Sequence, residues 1–219
     1  MEIIVKRHKN RNVQLKVVEN KVIATAPYKM SNEQIREVVQ SHLKWVEERV
    51  SHTTNYYAEL FSLKKIMVCG ERIDVEETLQ TKPYMADKKL YLPQKYFKNK
   101  DAKKSALSRY VKMLARTFLS QRISSVGLAM GVCPAFIEIK SLPQGWIKCS
   151  TPSEKKVCID YHAIQLPAKL QTYLIVHAYL HFSCATHDFT FQKSLERLQP
   201  ESKVLDKKLG QYESIKDIF

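Results

Sequence analysis

Three histidines carry the chemistry this sequence offers: His177 and His181 in His177-Ala178-Tyr179-Leu180-His181, and His187 six residues further on. On a helix, residues four apart share a face about one turn apart along the axis. Two imidazoles so placed can grip one cation, and a third just beyond the helix can close the set. Three neutral imidazoles leave one tetrahedral position open, the donor pattern of a catalytic rather than a structural zinc site. In the hydrolytic form of this motif the residue after the first histidine is glutamate, the general base for water. Here that position is Ala178. General acid–base groups contribute roughly 10²–10⁴-fold in rate, so the chain is expected to hold Zn2+ and to be nearly inert. Alanine removes no ligand and favours helix.

These residues need a helix to carry them, and the pattern supplies one. Pro167 opens a segment from Ala168 to about Cys184 that is apolar all round at Tyr173-Leu174-Ile175-Val176, as a buried helix would be. Upstream, Ile3-Ile4-Val5, Val13 to Val17 and Val22 to Ala26 read as strands, with a turn at Glu19-Asn20-Lys21 and Pro27 as the stop. Ser31 and Gln34 fit a capping box for a helix running to about Val50, with Ile35, Val38, Val39, His42, Trp45 and Val46 as its stripe. Lys64 to Leu79 reads as a hairpin turning at Gly70-Glu71, and Lys88 to Leu92 as a strand. Asp101 to about Val126 is the longest helix, with Leu107, Tyr110, Val111, Leu114, Phe118 and Leu119 as its buried stripe. Phe136 to Ile139, Trp146 to Cys149 and Val157 to Asp160 are short strands. A polar helix after Asp188 and a ragged tail finish the chain. The expected division is a strand-rich N-terminal part over 1–95 and a metal-binding part over 96–219, or one continuous domain.

The bulk composition excludes several classes. With 219 residues, 44% of them hydrophobic, the chain can bury a core. No apolar run approaches the ~20 residues that span a bilayer, and charge interrupts the N-terminus at once, so neither a membrane span nor a signal peptide is expected. Five cysteines without a CxxC pair suggest reduced thiols and a cytoplasmic setting. Cys184 lies near the histidines and could compete as a ligand; packing as a small residue is the plainer reading. His8, His42, His52 and His162 lack such partners and are assigned no role. The net charge of +14 is concentrated between Gln94 and Ile123, where nine Lys or Arg face only Asp101, and again at Lys6 to Arg11. Arg109, Lys112 and Arg116 share one helix face and are the candidate nucleic-acid contacts. A solvated, solubilising face is the competing reading, since charge alone contains no base-reading element.

The order of elements resembles the YgjP-like metallopeptidases, a zincin-type family related to the WLM and SprT-like proteases. The resemblance rests on Pro27 followed by a helix bearing Trp45, on Ala115-Arg116 in the long helix, on Trp146 to Cys149, on Leu166-Pro167, and on His177, His181, His187 and Phe189. It implies an α+β zincin-like fold, with a strand-rich N-terminal part, a short sheet and an active-site helix. It also implies a zinc-dependent endopeptidase acting on protein or peptide substrates. Two positions depart from the family: Ala178 replaces the glutamate, and Trp146-Ile147-Lys148-Cys149 replaces Trp-Gly-Ser-Cys. That strand would flank the cleft and hold substrate by strand addition, which makes Trp146, Ile147, Lys148 and Tyr179 candidate substrate contacts. Tyr179 packs or lines the cleft, and Trp146 fits core better than a substrate platform.

Retention of all three ligands beside the lost base favours deliberate Glu→Ala inactivation over natural decay. Two other functions compete with a disabled peptidase. One is a DNA-associated SprT-like protease using the basic surface; the other is a non-catalytic, zinc-containing binding module.

Overall fold

The structure is a computed structural model of the chain that describes residues 2–9, 11–18, 21–150 and 154–219. It divides into two compact units, one reaching Ser62 and one running Leu63–Asp217. The strands after Ser62, assigned by sequence to the N-terminal part, thus fall in the same unit as the histidines.

In the first unit β1 (Glu2–His8), β2 (Gln14–Val18) and β3 (Lys21–Pro27) form a sheet in the order β1-β3-β2. β1 runs parallel to β3, and β2 antiparallel to it. The expected turn at Glu19-Asn20 lies outside the described residues. Alternation in β3 buries Val22, Ala24 and Ala26 on one face, as a half-covered strand requires. Ser31 caps α1 (Asn32–Ser41) through the full capping box with Gln34. The single helix expected to Val50 is instead two, because the chain breaks at His42, where its φ of −109° leaves the helical range. α2 (Leu43–Phe61) then continues further than expected. Ile35 and Val39 pack with Ala24 and Ala26, and Val46 packs with Val17 and Val22. Trp45, expected in the buried stripe, is 42% exposed. Arg7, part of the N-terminal basic cluster, is used locally: it donates to the carbonyls of Pro27 and Met30 and to Asn32 Oδ1.

The second unit is mixed α and β. β4 (Lys65–Val68), β5 (Glu71–Thr78), β6 (Tyr84–Ala86) and β7 (Lys89–Pro93) form a sheet in the order β4-β5-β7-β6. Of these four strands only β6 has no counterpart in the sequence reading. The β4–β5 hairpin turns on Cys69 and Gly70, both at positive φ (52° and 85°), the geometry of a tight two-residue turn. α3 (Lys100–Met130) outruns its expected end and stops at Gly131, whose φ of 66° gives a left-handed cap. Its stripe is buried as expected except Phe118, which is 49% exposed.

β8 (Phe136–Lys140), β10 (Lys156–Asp160) and β9 (Ile147–Cys149) form the third sheet, with β10 central and β9 an antiparallel edge. A 3₁₀ turn at Tyr161–Gln165 leads into α4 (Ala168–Leu180), followed by α5 (Phe189–Leu198), α6 (Ser202–Leu209) and a 3₁₀ segment at Gly210–Asp217. The tail is therefore ordered rather than ragged: Leu205 and Ile215 are buried. No helix among the described residues is long and apolar enough to cross a membrane.

Candidate functional site

α4 is held in place from both of its long faces. Its residues Leu170, Tyr173, Leu174, Ile175, Val176, Ala178 and Tyr179 are buried, as expected for a helix apolar all round. Tyr179 is 1% exposed, and its hydroxyl donates to the Ile123 carbonyl of α3 at 2.6 Å. Burial pushes this phenol up to about 12. α3 approaches so closely here that a Cβ on Gly127 would lie 2.9 Å from Tyr179 Oη. Tyr179 thus packs between helices and does not reach the cleft. At the start of α4 the β4–β5 turn docks on the 3₁₀ turn: Cys69 N–H donates to the Ile164 carbonyl at 2.7 Å and Gly70 N–H to the Gln165 carbonyl at 3.1 Å. Gln171, fully buried, donates to the Ile164 and Leu166 carbonyls.

α4 ends earlier than its pattern suggested. His181 is the C-cap, and the Ser183 and Cys184 N–H groups donate back to the Leu180 carbonyl. This turn brings His187 round to the two helical histidines. The ring-nitrogen donor atoms of His177, His181 and His187 all lie within 4.8 Å of one another. Nε2 of His187 is 2.9 Å from that of His177 and 3.1 Å from that of His181. A carbonyl can only accept, so the 3.1 Å contact of His181 Nδ1 with the Cys184 carbonyl puts the proton on Nδ1 and leaves the Nε2 lone pair facing the other imidazoles. Cys184 therefore contributes its backbone, and its thiol is not one of the converging donors.

Burial, then the neighbouring His181 and His187, lowers the His177 pKa to about 4; burial also lowers that of His181. Both effects favour the neutral, lone-pair-bearing form that a metal needs. Tetrahedral zinc with bonds of ~2.0–2.1 Å holds nitrogens a little over 3 Å apart. The donor set and its tautomer fit such an ion.

Phe191 of α5 is fully buried and packs against all three rings, with centroids at 5.0, 4.7 and 4.7 Å from His177, His181 and His187. Asp188 caps α5 by accepting from the Phe191 N–H, which aims Phe191 inward. Phe189, the aromatic that sequence had associated with the triad, is 79% exposed.

The triad opens into a cleft of about 740 Å³ with Ala178 in its floor. Trp146, Ile147, Lys148 and Cys149 line one wall, on and beside the edge strand β9. Trp146 is 3% exposed and donates through Nε1 to Glu213 at 2.7 Å, while Lys216 lies 4.2 Å from the centre of its ring and donates to the Gly145 carbonyl. Trp146 is thus a packed member of the wall. Tyr173, one turn before His177, donates to Asp206 of α6 at 3.2 Å, and both line the cleft. Sequence reasoning passed over these groups. The four-residue offset of Tyr173 from His177 was a usable signal, whereas nothing local marks Asp206 or Glu213. Arg109, Lys112 and Arg116 are exposed on α3, away from this lining.

The crystal structure of the metallopeptidase zymogen of Pyrococcus abyssi abylysin is similar at 17% identity and a TM-score of 0.37, covering 42% of this chain and 90% of that one. No curated protein sequence matches the chain significantly. A family profile described as the YgjP-like metallopeptidase domain matches residues 11–212. Spanning nearly all of both units, this match places the chain in the YgjP-like metallopeptidase family.

Proposed function

We propose that the chain is a zinc-binding endopeptidase scaffold whose hydrolytic step is disabled at position 178. The observation that carries this reading is the convergence of three imidazole donors beside a cleft whose floor holds alanine. His177, His181 and His187 would hold the ion, and three imidazoles suit zinc best among common divalent metals. When bound, the ion would polarise a carbonyl and acidify a water.

The chain's own residues do the rest. The free edge of β9 offers backbone groups to an extended peptide. Lys148 projects exposed from that edge, and Ile147 adds bulk where the family has glycine. Tyr173, held by Asp206, borders the same space. No side chain at position 178 can take or return a proton. The lining of the cleft also suits a second reading, a module that captures a peptide strand without cutting it. A nucleic-acid-directed variant rests on charge alone and requires DNA binding at about 50 mM salt, where phosphate contacts are strong.

The test is the Ala178→Glu variant beside the chain as it stands, incubated with a cell lysate, with and without chelator, while new N-termini are counted. Cleavage that appears only with glutamate and disappears with chelator, a gain of about 10²–10⁴-fold, is the expected result. One equivalent of bound zinc with no cleavage in either form would replace the peptidase reading with the binding module.

A further inference from the structure

A second concavity lies in the same unit, apart from the histidine cleft. It encloses about 220 Å³ and is lined by Lys112 and Arg116 of α3, Ile139 and Lys140 at the end of β8, Ser141, and Tyr161 at the start of the 3₁₀ turn. Two separate elements, α3 and β8, thus bring three cations to one hollow, and none of the lining residues is acidic.

Lys112 and Arg116 are one turn apart on α3, an arrangement of like charges that costs a bare helix a few tenths of a kcal/mol. Neither makes an ion pair among the described residues. The Lys112 ammonium lies 4.8 Å from the centre of the Tyr161 ring, and Tyr161 is 5% exposed, so a rigid aromatic face orients that charge. Lys140 bonds Glu138 at 3.0 Å, but the same carboxylate oxygen also takes Lys156 at 2.9 Å. One negative charge is shared by two ammoniums, and the neighbourhood keeps a positive excess. Asp160, opposite Lys140 on β10, is buried and occupied by the Leu142 N–H, the His162 N–H and His162 Nδ1. Among the described residues the Ser141 hydroxyl has no hydrogen-bond partner.

We propose that this pocket is a binding site for a phosphate-class oxyanion: inorganic phosphate or the terminal group of a small phosphomonoester. The Arg116 guanidinium supplies the planar fork that engages two anion oxygens, and Lys112 and Lys140 supply point charges. Ser141 donates a neutral hydrogen bond. The charge of a dianion matches the excess that Lys112 and Arg116 bring, and the hollow is large enough for the anion with a substituent or a few waters.

The experiment is a calorimetric titration of the full chain with inorganic phosphate at low ionic strength, against chloride at equal ionic strength. Saturable one-site binding is expected. Lys112→Gln and Arg116→Gln should each weaken it at least about tenfold, and Ser141→Ala about threefold. Lys193→Gln, an exposed charge on α5, should leave it unchanged. Circular dichroism of each variant checks that the fold is retained. Non-saturable binding, or equal affinity in all four variants, overturns the proposal. So does an oligonucleotide that binds these residues while inorganic phosphate neither binds nor competes, because the surface would then be a general polyanion face rather than a phosphate pocket.

Discussion

Position 178 and the ring of Phe191 act on the histidine triad in different ways, and they separate experimentally. In the proposed reading position 178 is where proton transfer is lost, and alanine there donates nothing to a metal, so zinc stoichiometry should stay at one equivalent in both the chain as it stands and its Ala178→Glu variant. His187→Ala, by contrast, should abolish tight binding, as read by metal analysis after dialysis. Phe191 touches every imidazole and fixes their orientation without contributing a donor. Phe191→Leu keeps an apolar group of similar burial, so the fold should survive at a cost of about 1 kcal/mol. Zinc affinity should fall about tenfold, the usual scale for disturbing the support of a metal ligand. An unchanged affinity would show that the histidines are set by the backbone alone. The histidines themselves are legible in the sequence because a four-residue spacing has one geometric meaning on a helix. Phe191 is not, because its inward aim depends on where α5 begins. Asp188 marks that start, and counting three residues from this cap, rather than taking the first aromatic, points to Phe191 instead of the exposed Phe189.

At the level of elements, the sequence reads well wherever a period is long and a stop signal sharp. α3, β3 and the capping box of α1 follow directly from their patterns. What fails is the length of α4, whose apolar run continues to Phe182 although the chain has already turned at His181. The fold needs that turn to return His187, and tertiary closure overrides local propensity there. The start of α4 depends on a contact no local pattern contains, the β4–β5 turn against Pro167. A Cβ on Gly70 would lie 2.9 Å from Pro167 Cα, and its φ of 85° disfavours any side chain. Gly70→Ala should therefore cost about 1–3 kcal/mol, measurable by urea unfolding, and an undiminished midpoint would mean that the turn can slide without disturbing α4. The β8–β10 pair carries its own pH signature. Glu138, hydrogen-bonded by Lys156 and Lys140, has its pKa drawn down to about 2 from an ordinary 4.5. A depressed folded pKa stabilises above the unfolded value and is lost as pH falls through the folded one. The chain should thus lose stability between about pH 4.5 and 2, and Glu138→Gln should flatten that part of the profile. A variant with the same acid slope would place the proton uptake elsewhere.

For the whole molecule, the division at Ser62 sets how metal binding is felt. The first unit has its own apolar clusters, around Ala24, Ile35 and Val39 and around Val17, Val22 and Val46. All three histidines belong to the second. A ligand that binds only the folded state stabilises it by RT ln(1 + [L]/Kd), about 2.7 kcal/mol at a hundredfold excess over Kd. That free energy acts on whatever unfolds together with the site. If the two units are separate cooperative blocks, adding zinc slows hydrogen exchange in α4, α5 and the sheet strand β10, while the amides of β3 exchange at an unchanged rate. This is the expected result, because the first unit has apolar clusters of its own. Equal protection of β3 would show one cooperative block and extend the influence of the metal to the N-terminal sheet. The sequence offered no sign of this boundary. Its composition changes little between Phe61 and Lys65, and no run of glycine or proline marks a linker. Only the clustering of contacts, which depends on which strands pair, assigns β4 to β7 to the metal-bearing unit.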